Sequence, residues 1–206
     1  MRYPDGFFDT FDAPDADTGV PQGTLAWNIN PEGVAAGIYI DGSGVYHGFV
    51  RSRDGRITQF DPPGSIYTYP CEETCLSPDG TLTGFYLDSE YTLRGFVRTP
   101  DGGITNIDAP GAGTGGYLGA IAASIAVAAI TGYIEDANVV GHGFTRYPNG
   151  SFATFNAPGS CTGTDQGTRS STNNQQGAVA GWFWDQNGLA QGFLWTPLPT
   201  NQRTGQ

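Results

Sequence analysis

Apolar segments of five to eight residues recur along the chain, each closed off by a cluster of Gly, Pro, Asp or Ser. In the first clear unit TLAWNIN is followed by PEG, VAAGIYID by GSG, VYHGFVR by SRDG, and RITQF closes the set. Short β-prone runs separated by turn chemistry predict a four-stranded antiparallel meander, and no 3.6-residue period interrupts them. The second segment is apolar on both alternating faces, with Ala35, Gly37 and Tyr39 against Ala36, Ile38 and Ile40. A strand of that kind is covered on both sides, which predicts a central position in its sheet.

The same pattern returns three more times. HGFVR, RGFVR, HGFTR and QGFLW begin at His47, Arg94, His142 and Gln191, spaced by 47, 48 and 49 residues. Pro14, Pro63, Pro110 and Pro158 repeat at 49, 47 and 48, and the runs GIYID, GFYLD, GYIED and GWFWD end at Asp41, Asp88, Asp136 and Asp185. Self-similarity at about 48 residues is the mark of a repeat architecture. Residues 7–12, FFDTFD, match the last segment of a unit, whereas the C-terminus stops after a third segment. That offset suits a ring in which the first strand completes the last sheet. The expected fold is therefore all-β: one domain over 1–206, a four-bladed β-propeller of four-stranded antiparallel blades at roughly 24–61, 73–108, 121–156 and 170–195 plus 7–12. Ala26 and Asn28, Thr74 and Cys75, Ala123 and Ser124, and Ser171 and Thr172 are expected to line a narrow axis. The outer segments keep apolar residues three apart (Phe8/Phe11, Ile57/Phe60, Ile104/Ile107, Phe152/Phe155), which predicts a bulge in each.

INPEGVAAGIYIDGSGVYHGFVR at 29–51 and GFLW at 192–195 resemble the HAF-type extracellular repeats of bacteria, with HGF in place of His-Ala-Phe. The likeness extends over all four units. It implies an exported, propeller-like domain without assigning it an activity. The third unit, IAASIAVAAITGY, departs from the pattern with Ala126 in the Asn position and one residue fewer before Gly132, so its inner turn is expected to be distorted.

Composition narrows the partners. The net charge is −11 and nine Lys and Arg are present, which leaves no basic footprint for nucleic acid or an anionic membrane. No apolar run approaches the ~20 residues that span a bilayer. Because the opening MRYPDG matches the interior of a repeat, any secretion signal is expected to have been trimmed, and the location expected from the repeat type is extracellular or periplasmic. Cys71 and Cys75 are close enough for a small disulfide loop, which would leave Cys161 free. No cofactor is indicated. The hairpins DGSG, DANV and DQNG offer oxygens to Ca2+ but match no complete calcium motif.

The histidines are conspicuous, yet His47 and His142 occupy a position held by Arg94 in the second unit and Gln191 in the fourth. Every occupant is a hydrogen-bond donor six residues after Asp41, Asp88, Asp136 or Asp185, so the pair is expected to pin a hairpin. Arg in place of His argues against acid–base catalysis there. Features that break the symmetry are the better candidates for function. The link GSIYTYPCEETC brings Tyr67, Tyr69, Glu72 and Glu73 together, with Tyr91, Tyr117 and Asp88 expected nearby. Aromatic rings beside carboxylates can stack on sugars and accept hydroxyl hydrogen bonds.

These residues predict an extracellular binding module for carbohydrate or a similar polymer. Two other readings stand beside it: a polysaccharide hydrolase using Glu72 and Asp88, or a lyase with a Tyr or His base, and a scaffold that holds another protein. No nucleotide loop, nucleophile elbow or zinc motif raises the enzyme reading.

Overall fold

A computed structural model describes residues 6, 8–70, 74–127 and 129–197. The apolar segments fold as fifteen β-strands. The first unit forms β1 (Gly23–Ile29), β2 (Ala35–Ile40), β3 (Tyr46–Arg51) and β4 (Ile57–Phe60), paired in that order. The second forms β5 (Ser65–Pro70), β6 (Leu82–Asp88), β7 (Leu93–Arg98) and β8 (Ile104–Ile107). The third forms β9 (Gly119–Ala126), β10 (Ala129–Glu135), β11 (Gly141–Arg146) and β12 (Phe152–Phe155), and the last β13 (Thr168–Asn173), β14 (Val179–Trp184) and β15 (Ala190–Trp195). Pairing within each unit is antiparallel.

The closed, sixteen-strand, four-bladed propeller expected from the repeats is not what the structure shows. The strands lie in three open sheets of four, eight and three strands, because a single parallel pair, Leu93 with Gly119, joins the second and third units. Among the described residues no strand extends the last sheet beyond β15. Segment 8–12 carries a single β-bridge at Phe8 and is held by side chains of the first sheet. Phe11 packs edge-on against Phe49 with ring centroids 5.9 Å apart, the Arg51 guanidinium lies 4.7 Å from the Phe11 centroid, and Arg51 Nη2 donates to Asp9 Oδ2 at 2.7 Å.

The expected bulge falls in the inner strands, not the outer ones. Register shifts sit in β1 between Ala26 and Asn28, in β9 between Ala122 and Ser124, and in β13 between Ser170 and Thr172, whereas β4, β8 and β12 pair without interruption. The odd spacing in the outer strands has a different cause. Residues three apart on a strand point to opposite faces, and each outer strand is covered on both. Ile57 packs into the cluster of Ala13, Tyr39 and Phe49, while Phe60 reaches Phe96 of the second unit at 6.0 Å. Phe152 packs on Phe144 of its own sheet, and Phe155 reaches Phe193 and Trp195 of the last.

Close-packed glycines make this packing possible in the second strand of every unit and in the third strand of the first and third. A Cβ on Gly37, Gly84, Gly132 or Gly181 would collide with the carbonyl oxygen of Leu25, Tyr69, Ile121 or Arg169 on the inner strand. A Cβ on Gly48 would enter the Phe60 ring, and one on Gly143 would lie 2.7 Å from the Phe155 ring. At Gly192 the nearest atom, Gly181 O, is 4.0 Å away.

In the third unit the inner turn is shortened, with Ala126 paired directly to Ala129 and Val127 at φ +48°. The second unit differs more. Tyr67 and Tyr69 belong to the inner strand β5, not to a link, and the strand resumes after residues 71–73 with Leu76 bridged to Leu82. Hydroxyls converge where inner segments meet: Thr74 Oγ1 lies 2.6 Å from Ser124 Oγ and 3.0 Å from Thr172 Oγ1. A cavity of about 410 Å3 opens there, lined among others by Asn28, Leu76, Ile125 and Asn173.

Overpacking of this kind costs about 1–3 kcal/mol. Gly132→Ala and Gly48→Ala are each expected to lower the free energy of urea unfolding by that amount. Gly192→Ala should stay within about 0.5 kcal/mol of the parent, as open sites do. Equal losses at Gly48 and Gly192 would contradict the packing described.

Candidate functional site

Each second-to-third-strand hairpin is organised by one aspartate. Asp41 Oδ1 accepts from the N–H groups of Ser43 and Val45 at 2.9 Å, Asp88 Oδ1 from Glu90 and Thr92 at 2.9 Å, Asp136 Oδ1 from Asn138 and Val140 at 2.8 and 2.9 Å, and Asp185 Oδ1 from Asn187 and Leu189 at 2.8 and 3.0 Å. The second oxygen faces the side chain six residues on: His47 Nε2 at 3.4 Å, Arg94 Nε at 2.6 Å, His142 Nε2 at 3.5 Å and Gln191 Nε2 at 3.1 Å. The other ring nitrogen of each histidine is also engaged, His47 Nδ1 with Asp61 Oδ2 at 2.7 Å and His142 Nδ1 with Asn156 Oδ1 at 2.8 Å. Both ring nitrogens of each histidine are thus engaged within the hairpin network.

A cavity of about 390 Å3 lies beside His142, walled by Pro110, Ile134, Asp136, Phe155 and Asn156. Three of its polar side chains, Asp136, His142 and Asn156, are already bound in the hairpin network, and Thr154 lines it as well. Tyr39 stacks on His47 at 4.8 Å, and burial, with Asp61, Asp15 and Asp41 around it, pushes its hydroxyl up to about 12. It stays a neutral phenol. Burial raises the Asp88 carboxyl, but the Thr92 and Glu90 N–H groups and Arg94 outweigh it and hold the group below the ordinary carboxylate range. A general acid for glycoside cleavage needs the opposite shift.

Glu72 and Glu73 lie outside the described residues, as does Cys71; Cys75 is disulfide-bonded and Cys161 is a free thiol. Among the described residues no three of His, Cys, Asp and Glu converge as ligands for a metal ion. The tyrosines form two groups. Tyr67 and Tyr69 both contact Tyr46, at 5.5 and 5.4 Å between centroids, and Tyr69 also stacks on Phe85 at 5.3 Å and meets Trp27 at 5.4 Å. This ladder ties β1, β3, β5 and β6 together; Tyr67 is exposed, and Trp27, Tyr46, Tyr69 and Phe85 are half-buried.

Tyr91 and Tyr117 are different. Their rings lie 5.7 Å apart, and the residues are 51% and 58% exposed. Tyr117 N donates to Tyr91 O at 2.8 Å, and Gly115 N donates to Thr92 Oγ1 at 2.8 Å, so the link 109–118 is latched along the hairpin 88–92. Both backbones are left-handed, φ +58° at Tyr91 and +66° at Tyr117. The position of Tyr91 is Gly44 in the first unit, Val139 in the third and Gly188 in the fourth, all at positive φ. Aligning the hairpins in register exposes this: an aromatic and a β-branched residue stand where two units carry glycine. Residues held in so unfavourable a region cluster at functional sites.

No family model matches the chain, and no curated protein does. Among solved structures a streptogramin B lyase is similar, with a TM-score of 0.47 and 14% identity over 93% of this chain and 60% of that one. The chain thus spans about 60% of that structure's length.

Hydrogen bonds from the Val45, Val140 and Leu189 N–H groups lead those that lower the Asp41, Asp136 and Asp185 carboxyls below their ordinary 3.8. Stability from a carboxyl so depressed is fully present above pH 3.8 and is lost as pH falls through the folded-state value. The melting temperature is therefore expected to fall below about pH 4, and less steeply in Asp136→Asn, which keeps both backbone contacts through a non-titrating amide. A second expectation concerns strain. A left-handed L-residue costs about 1–2 kcal/mol, so Val139→Gly should raise the unfolding free energy, by about 1 kcal/mol once the freer unfolded chain is counted.

Proposed function

We propose that this protein is an extracellular binding module that recognises a carbohydrate or a similar polymer through the Tyr91–Tyr117 pair. The observation that carries the reading is two exposed rings 5.7 Å apart, both on left-handed backbone, with Tyr91 standing where two sister hairpins have glycine. A sheet needs no such strain to cover itself, and aromatic faces beside hydroxyl acceptors suit the apolar and polar sides of a sugar ring. Asp88 anchors the hairpin beneath the pair while Glu90 is exposed at its tip. The disulfide at Cys75 supports export, since such bonds persist in oxidising compartments. Binding is favoured over hydrolysis because Asp88 is bound on both oxygens and held ionised.

Calorimetric titration with a panel of neutral and acidic oligosaccharides tests the reading. At least one is expected to bind, and Tyr91→Gly should weaken it by about tenfold, the scale of one stacking contact. The same variant should melt no lower than the parent, because glycine relieves the positive φ. Failure of the whole panel to bind, or unchanged affinity in Tyr91→Gly, would reject it.

A further inference from the structure

At the opposite end of the sheets the repeats build a second recurring device, an arginine laid over an aromatic ring from the preceding outer segment. Arg51 lies over Phe11 at 4.7 Å, and Arg98, in the equivalent position one unit later, lies over Phe60 at 5.0 Å. Both arginines are buried, 8% and 5% exposed. Their partners differ. Arg51 Nη2 donates to Asp9 Oδ2 at 2.7 Å, and the residue aligned with Asp9 in the next outer segment is Thr58. Among the described residues Arg98 has no carboxylate within ion-pair distance; its one hydrogen bond there is from Nη1 to Thr99 O at 3.3 Å, and its Nε has no partner. The Nε of Arg51 is likewise bare, so the missing carboxylate is what separates the two sites.

A cavity of about 170 Å3 lies where that carboxylate would be, lined by Arg98, Thr58, Ser52, Arg56, Asp79 and Pro100 among others. Asp79 adds a negative charge, but Ser77 Oγ and the Thr81 N–H and hydroxyl already occupy its oxygens. Arg98 and Arg56 leave the lining with one net positive charge. Burial pushes the Arg98 guanidinium below its ordinary value, with Asp101 only partly opposing it. Arg146, one unit further on, is only half-buried and reaches solvent. A buried guanidinium without a counter-charge is costly, and a carboxylate matches its planar fork in two parallel hydrogen bonds.

We propose that the Arg98 cavity binds a small monocarboxylate, which takes on Arg98 the place that Asp9 takes on Arg51. Its size admits a carboxylate with a short alkyl group. The Thr58 hydroxyl on the cavity wall supplies a further donor, and the Phe60 ring lies beneath the guanidinium. The site is at the turn end of the sheets, remote in the fold from the Tyr91–Tyr117 hairpin, and does not depend on it.

Sodium acetate titrated into the full chain, followed by thermal melting and by the Arg98 Nε–H resonance in NMR spectra, tests this. Acetate is expected to raise the melting temperature saturably and to shift that resonance, beyond any effect of sodium chloride at equal ionic strength. Thr58→Asp supplies the carboxylate from within. It should melt about 2–4 °C higher than the parent and lose the acetate response. An acetate effect no larger than that of chloride, or an acetate response that survives intact in Thr58→Asp, would overturn the assignment.

Discussion

The structure depends on one contact made between successive sheets: an apolar side chain from the outer segment of one unit pressed on the third strand of the next. Phe11 meets Phe49, Phe60 meets Phe96, Ile107 joins the cluster around Phe144, and Phe155 meets Phe193. Phe49, Phe96 and Phe144 are wholly buried. A ring can reach the next sheet only if it crosses its own neighbour strand closely, which is why Gly48 and Gly143 have no room for a Cβ. The HGF spelling is a consequence of that crossing.

The same contact explains the arginines and the odd spacing in the outer segments. A strand covered on both faces needs an apolar residue for each, and positions three apart provide one of each orientation. The guanidinium then covers the outer side of the ring, as Arg51 does over Phe11 and Arg98 over Phe60. Such a lid brings a charge into a dry place. Where Asp9 meets it the site is closed; where Thr58 stands instead, a cavity remains.

The two ends of the sheets divide the chemistry. At the hairpin end the carboxylates and imidazoles are bound to one another and to backbone N–H groups, so the acidity of that face is largely structural. What stays available is aromatic, the Tyr91–Tyr117 pair on its strained backbone. The sequence shows these tyrosines as candidates by composition alone. It hides their conformation, because a positive φ at Tyr91 is visible only when the hairpins are aligned with Gly44 and Gly188. Tyr67 and Tyr69 look like them in sequence, yet β5 draws these two into a ladder with Tyr46, Trp27 and Phe85.

The all-β class, the period of about 48 residues, the second strands as sheet interiors and the hairpin contacts across six residues are local properties, and the sequence by itself determined them. They follow from side-chain alternation and turn chemistry, which act over a few residues. Only the tertiary structure decided where the chain stops pairing, which strands bulge and which arginine lacks a counter-charge. Matching segments point to closure, but segment 8–12 is anchored by Phe11, Asp9 and Arg51 in the first sheet, and among the described residues no strand follows β15 in its sheet. Those outcomes depend on contacts between residues about 40 apart, where side-chain anchoring competes with main-chain pairing and a repeat pattern is silent about which prevails.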